Sequence, residues 1–137
     1  EEDELIKDVK ISRDQIPIDR TGMEFKVEKR ANQTWPTLGA STVVRVADSG
    51  DANPVIEDAR LSYANAADIP IRVSDAEAEI EGEPVSEGLI EDIGDIVHDA
   101  IEPQDEMHAS ETYKRELAAA FARRSLETAY ERAIDDR

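Results

Sequence analysis

The chain contains no cysteine. It therefore holds no disulfide, no thiolate zinc site and no iron–sulfur cluster, and electrons that pass through such a cluster must do so in another chain. Aromatic residues make up only 4% of the sequence, with a single tryptophan, Trp35. No apolar run approaches the roughly 20 residues that cross a bilayer, and no signal-peptide pattern opens the sequence. A soluble, cytoplasmic protein is expected. Basic residues are scarce, 16 Lys and Arg against 33 Asp and Glu, for a net charge of −17. Without a basic stripe there is nothing to neutralise phosphates, which disfavours nucleic acid as a partner.

The acids are scattered through every segment instead of forming a tail, which argues against a disordered acidic appendage. Five lysines stand against eleven arginines. That balance fits a surface adapted to high salt, where ions screen the self-repulsion of a strongly charged protein, and a haloarchaeon-like, halophilic source is expected. An ordinary acidic protein and a nucleic-acid mimic remain the alternatives. The length suits one domain spanning residues 1–137.

Along the chain, residues 4–12 read as an edge-like strand in which Val9 and Ile11 alternate with Lys10. Pro17 and the cluster 19–22 mark a loop. Met23, Phe25 and Val27 alternate with Glu24, Lys26 and Glu28, as in a half-buried strand. After a polar connection over 30–36, the β-branched run from Leu38 to Ala47 predicts another strand, and turn formers at 48–54 close a hairpin onto 55–63. Beyond that the period changes. Ser74 and Glu77 read as a capping box opening a short helix that Gly82 stops. Leu89, Ile90, Ile93, Ile96, Val97 and Ile101 recur at helical spacing, with Glu91, Asp92, Asp95 and Asp99 on the opposite face. Ser110 caps a last helix running to about Ile134, with Tyr113, Leu117, Ala120 and Phe121 on one side and Ala118, Ala122, Leu126, Ala129, Ala133 and Ile134 on another. The expected architecture is α+β: a three- to four-stranded antiparallel sheet (about 4–64) followed by three helices (about 74–134) packed on one face.

Four collinear segments resemble one family. The run 105–115, an Asp followed by the small-Ser pair Ala109-Ser110, Tyr113 and the basic pair Lys114-Arg115, resembles the "D-x-x-(G/A)-S-x-x-Y-(R/K)" signature that closes the FAD-binding medium subunit of molybdenum hydroxylases, the xanthine dehydrogenase and carbon monoxide dehydrogenase group. Residues 25–40, containing Lys26, Lys29, Arg30 and Trp35-Pro36, resemble its "F-x-K-x-x-R-R-x-x-D-W-P-x-x-G" segment, with Thr34 where relatives carry an acid. A hydroxyl there keeps one hydrogen bond but lacks the carboxylate charge. Residues 4–11 and 66–72 resemble two further family stretches.

The resemblance implies the C-terminal domain of the flavoprotein subunit, the last part of a longer chain. FAD would be bound mainly by absent N-terminal domains, since no Gly-rich phosphate loop is present here. The implied partners are a molybdenum-binding large subunit and an iron–sulfur small subunit, which hold the molybdenum cofactor and 2Fe-2S clusters. Candidate flavin contacts are Lys26, Lys29, Arg30, Thr34 and Trp35. Each also has a plainer reading: Trp35 as a packing residue under a loop, and the three cations as solvated groups on an acidic protein. No metal site is expected, because His98 and His108 lack a spaced ligand set. Ser110 beside His108 makes no triad, and Arg123 and Arg124 read as ion-pair formers or as covers of apolar surface. This segment alone is expected to catalyse nothing. The alternative is a stand-alone acidic protein-binding module of the same fold that has lost flavin.

Overall fold

The structure, a computed structural model, describes residues 7–10, 21–28 and 36–135. Four strands follow one another in the sheet in chain order: β1 (Thr21–Glu28), β2 (Pro36–Val46), β3 (Ile56–Ala64) and the short β4 (Ile71–Arg72). Each pairs antiparallel with the next, with Phe25 opposite Ala40, Thr42 opposite Leu61 and Tyr63 opposite Ile71. The two-residue period of a strand puts Leu38, Ala40, Thr42 and Val44 of β2, and Ala59, Leu61 and Tyr63 of β3, on one buried face. The turn formers at 48–54 do close the β2–β3 hairpin, with Gly50 at φ 73 and Ala47 N–H donating to Val55 O at 2.9 Å.

Three helices complete the chain: α1 (Ser74–Ile80), α2 (Glu87–Ala100) and α3 (Glu111–Asp135). α1 lies against β3, α3 crosses β2 and β1, and α2 fills the angle between α1 and α3. The α+β sandwich expected from the change of period is therefore the one observed. Ile80, Ile93, Val97, Ile101, Leu126 and Leu61 are fully buried between the layers. Each large aliphatic side chain removed from water contributes about 1.5–3 kcal/mol. Phe25 and Phe121 stack at 5.7 Å between ring centroids, and the Arg124 guanidinium sits 5.1 Å above the Phe25 ring.

Three local expectations need correction. Residues 7–10 belong to no strand and are exposed, with Val9 81% accessible; the rest of the stretch 4–12 lies outside the described residues. Val9, flanked by Asp8 and Lys10, does not by itself make a face worth burying. The capping box at α1 does not form: Val73 is the N-cap and no side chain caps the helix. The Glu77 carboxylate turns to the sheet instead, where it accepts Leu61 N–H at 2.9 Å and Arg72 Nε and Nη2 at 2.9 and 2.5 Å. A buried acceptor with a charged partner outweighs a cap that water can replace. On α3, Tyr113 and Ala120 of the predicted apolar side face solvent, and Lys114 is buried in their stead.

Between α2 and α3 the fit depends on a missing side chain. A Cβ at Gly94 would lie 2.5 Å from Arg123 Cζ, so glycine lets the guanidinium lie flat on α2. There it meets Asp95 at 2.8 Å and Glu91 at 3.0 Å.

Candidate functional site

The most constrained polar cluster sits at the end of the sheet where β2 begins. Ala64, the last residue of β3, pairs with Gly39, so residues 36–38 of β2 run past the end of β3. Their carbonyls on that side have no strand to bond. Asn65, the next residue, adopts φ 58, a left-handed conformation that asparagine tolerates better than most side chains. That turn delivers its amide to the overhang. Nδ2 donates to Pro36 O at 3.2 Å, to Thr37 O at 3.0 Å and to Glu106 Oε1 at 2.7 Å. With two N–H groups for three acceptors, one of these bonds is shared.

Glu106 Oε1 also accepts from Lys114 Nζ at 2.7 Å, and the same ammonium donates to Gln104 O at 3.0 Å. Lys114 is 1% exposed. An isolated ammonium at that depth would be strongly unfavourable, so the carboxylate and carbonyl beside it are what allow lysine into the core. The loop before α3 is arranged to make this possible. Ser110 Oγ accepts Tyr113 N–H at 3.2 Å as the predicted cap, Asp105 Oδ1 accepts Glu111 N–H at 2.7 Å, and Glu106 exchanges backbone bonds with Ala109 at 2.9 and 3.3 Å. Asp105 is thus spent on the helix end while Glu106 turns inward. The signature's first position, three residues before Ala109, is Glu106 and not Asp105, on which the resemblance rests, so the match there keeps an acid but not an aspartate.

Beside this cluster lies a cleft of about 420 Å³ walled by Pro36, Ala64, Ala67, Ile69 and Pro70, with Asn65, Asp68 and Glu106 as its polar members. Gln104 Nε2 holds Asp68 Oδ1 at 2.6 Å. Ile69 is 70% exposed at the rim, and Met107, next to Glu106, is 92% exposed. Among the described residues no cation lines the cleft. Its walls suit a flat apolar group, and its two carboxylates are already engaged, Glu106 by Lys114 and Asp68 by Gln104. A second groove of about 560 Å³, between the start of α2 and the end of α3, has Val85, Ile90 and Ile134 under Glu87, Glu91, Glu127 and Glu131. Among the described residues no three His, Cys, Asp or Glu side chains are grouped to hold a metal ion. His98 Nδ1 is 2.9 Å from Asp99 Oδ1.

Of the predicted flavin contacts, Lys26 lies on β1 opposite Gly39. Lys29, Arg30, Thr34 and Trp35 lie outside the described residues. Glu28, the last residue of β1, pairs with Pro36, the first of β2, whose carbonyl accepts the Asn65 amide. Arginine behaviour matches the expectation, with Arg123 in ion pairs and Arg124 over Phe25. Sequence reasoning missed Asn65, Glu106 and Lys114 as a unit. The available signal was the acid spacing before Ala109 and the placement of Lys114 four residues ahead of buried Ala118.

Two further groups are electrostatically marked. Hydrogen bonding to Glu77, opposed by partial burial, holds the Arg72 guanidinium above its usual pKa. Burial pushes the Tyr63 phenol well above its ordinary value, and its hydroxyl has no hydrogen-bond partner among the described residues.

Comparison with known proteins bears directly on this arrangement. Residues 23–129 match the family model of the CO dehydrogenase flavoprotein C-terminal domain. Among curated proteins, none matches the chain in sequence. Among solved structures the chain resembles a carbon monoxide dehydrogenase from Hydrogenophaga pseudoflava that lacks the Mo-pyranopterin moiety of the molybdenum cofactor. The TM-score is 0.75 at 21% identity, over 85% of this chain and 38% of that one. It is similar also to the reconstituted CO dehydrogenase from Oligotropha carboxidovorans, with TM-score 0.73, 16% identity, and 85% and 38% coverage. Quinoline 2-oxidoreductase from Pseudomonas putida 86 gives TM-score 0.74 at 17% identity, over 87% of this chain and 39% of that one. The chain thus spans less than two-fifths of the length of the structures it matches.

Proposed function

The chain belongs to the CO dehydrogenase flavoprotein C-terminal domain family, and from that premise we propose that it helps to enclose FAD in a molybdenum hydroxylase. In this reading it is the closing part of a longer flavoprotein chain whose preceding domains hold most of the cofactor. Bound FAD supplies the chemistry, accepting electrons and passing them to an acceptor, while the protein orients the flavin and excludes side reactions. A large molybdenum-binding subunit and a small iron–sulfur subunit supply the electrons. This domain then has no catalytic group of its own.

The observation that carries the reading is the family match together with the register that brings both ends of segment 29–35 to the sheet end beside the cleft. The described residues suit one part of a flavin better than another. Apolar walls at Pro36, Ala67, Ile69 and Pro70 fit contact with a ring edge. The diphosphate would fall mainly to the preceding domains, with Lys26, Lys29 and Arg30 as candidates to meet its charge and Thr34 and Trp35 as further candidate flavin contacts. We also propose that the protein works in the cytoplasm of a halophilic organism, on the strength of its net charge of −17. The exposed Ile69 and Met107 beside an acid-lined cleft favour a second reading, a flavin-free module that binds another protein. Production of the natural chain in full, followed by absorbance between 350 and 500 nm, separates the two: bound flavin supports the first reading and a colourless protein that ignores added FAD supports the second.

A further inference from the structure

We propose that the groove between the start of α2 and the end of α3 is a docking surface for a basic amphipathic helix of another polypeptide, which turns apolar side chains into the groove and lysine or arginine to its rim. The inference is independent of whether the chain meets flavin. α2 and α3 run antiparallel. Arg115, early in α3, donates to His98 O near the end of α2 at 3.0 Å, and Arg123, further along α3, lies 3.0 Å from Glu91 in the first half of α2. At the other end the two helices leave a channel of about 560 Å³, with Val85, Ile90 and Ile134, each partly exposed, as its apolar floor. The space between two packed helices fits the ridge of a third, whose apolar residues then recur every three or four positions.

The charge of the rim selects the occupant. Glu87 and Glu91 on α2, and Glu127 and Glu131 on α3, line the groove and are exposed, and among the described residues no lysine or arginine lines it. Within each helix the two glutamates stand four residues apart, where like charges repel and destabilise the helix. Asp135 continues the row on α3, so Glu131 is repelled from both sides, close to the negative end of its helix. Near the start of α3 the same spacing holds opposite charges, Glu111 and Arg115 at 3.0 Å. Of the four rim acids only Glu91 meets a cation among the described residues, and it shares that cation, Arg123, with Asp95. A high acid content supplies glutamates, but it does not by itself gather them around exposed apolar side chains. Cations brought from outside relieve the repulsion, and the field of the rim steers them in. A second copy of this chain has none to bring. Neither α1 nor α2 contains lysine or arginine, and on α3 Arg124 lies over Phe25 while Arg132 donates to Gly22 O.

The probe is a synthetic peptide helix of about four turns with leucine on one face and lysine on the other, carrying a fluorescent label and titrated with the natural full-length chain. It should bind, and bind more weakly as salt rises from about 0.1 M to about 1 M. Glu127→Gln combined with Glu131→Gln should weaken binding about tenfold, and Ile134→Ser, which opens the apolar floor in the last turn of α3, should weaken it by a similar factor. Glu102→Gln combined with Glu116→Gln removes the same charge from exposed positions at the opposite end of the helix pair and should leave binding unchanged. All variants should keep the wild-type circular dichroism spectrum. A full-length chain that does not bind the peptide would overturn the inference. So would equal weakening by the two double substitutions, or equal binding of a peptide with the same residues scattered over every face, since either shows a general attraction of cations to an acidic protein. Self-association of the chain that Glu127→Gln with Glu131→Gln abolishes would give the groove to a second copy and overturn it as well.

Discussion

Lys114 and Glu106 form an ion pair at 2.7 Å in which the lysine side chain is 1% exposed and the glutamate 25% exposed. The asymmetry sets what each substitution does. Glu106→Ala leaves an ammonium in the core with a single carbonyl for company, and should cost about 3–5 kcal/mol in urea unfolding. Lys114→Met leaves a carboxylate that still reaches water and the Asn65 amide, and should cost clearly less. Equal losses from the two would show that the pair is not the buried-cation arrangement described.

A second buried contact joins sheet to helix. Thr42 Oγ1 lies 2.6 Å from Ser125 Oγ, and Ser125 Oγ donates to Ala122 O at 3.3 Å, which leaves Thr42 as the donor between the hydroxyls. Ser125→Ala strands the Thr42 hydroxyl in the core and should cost about 1–3 kcal/mol, whereas Thr42→Val leaves Ser125 bonded to Ala122 O and should cost less. The double substitution should cost less than the sum of the two. Strict additivity in a double-mutant cycle would mean that the hydroxyls do not interact.

Tyr63 should make the fold sensitive to alkali. Its folded-state pKa is raised above the ordinary 10.0 by burial. Below pH 10 the folded and unfolded phenols both keep the proton and the group adds no slope. As pH rises past 10 the unfolded phenol ionises while the buried one does not, so the unfolded state binds fewer protons and stability falls. Tyr63→Phe should flatten the decline in melting temperature above pH 10 relative to wild type. At neutral pH it should cost nothing, because the hydroxyl it removes has no partner among the described residues. An unchanged alkaline slope would contradict the assignment.

Stability should also rise with salt. With a net charge of −17, like charges repel across the surface, and the screening length shrinks from about 10 Å at 0.1 M to about 3 Å at 1 M. The melting temperature should climb over that range. Equal stability at both concentrations would remove the case for a halophilic protein.

Most of the fold could be read from periodicity, because one face of each element is buried and the other wet. The alternation of Leu38, Ala40, Thr42 and Val44 and the helical spacing of Leu89, Ile93 and Val97 both survive intact. Where the reading failed, a tertiary partner had outbid a local one. Ser74 and Glu77 had the spacing of a capping box, but Leu61 N–H and Arg72 offered Glu77 a buried alternative that no local pattern displays. Lys114 was read as one half of a basic pair because its neutralising acid reaches it across a loop. The polar cluster at the sheet end was illegible for the same reason, since Asn65, Glu106 and Lys114 come together only when β3, the loop and α3 are folded.

The most direct test is flavin binding by the natural full-length chain, compared between wild type and Trp35→Ala. The account predicts that the wild-type protein carries FAD with its visible absorbance, and that Trp35→Ala weakens FAD binding while leaving the thermal transition of the FAD-free protein in place. A full-length wild-type protein that neither retains FAD nor responds to its addition would contradict it.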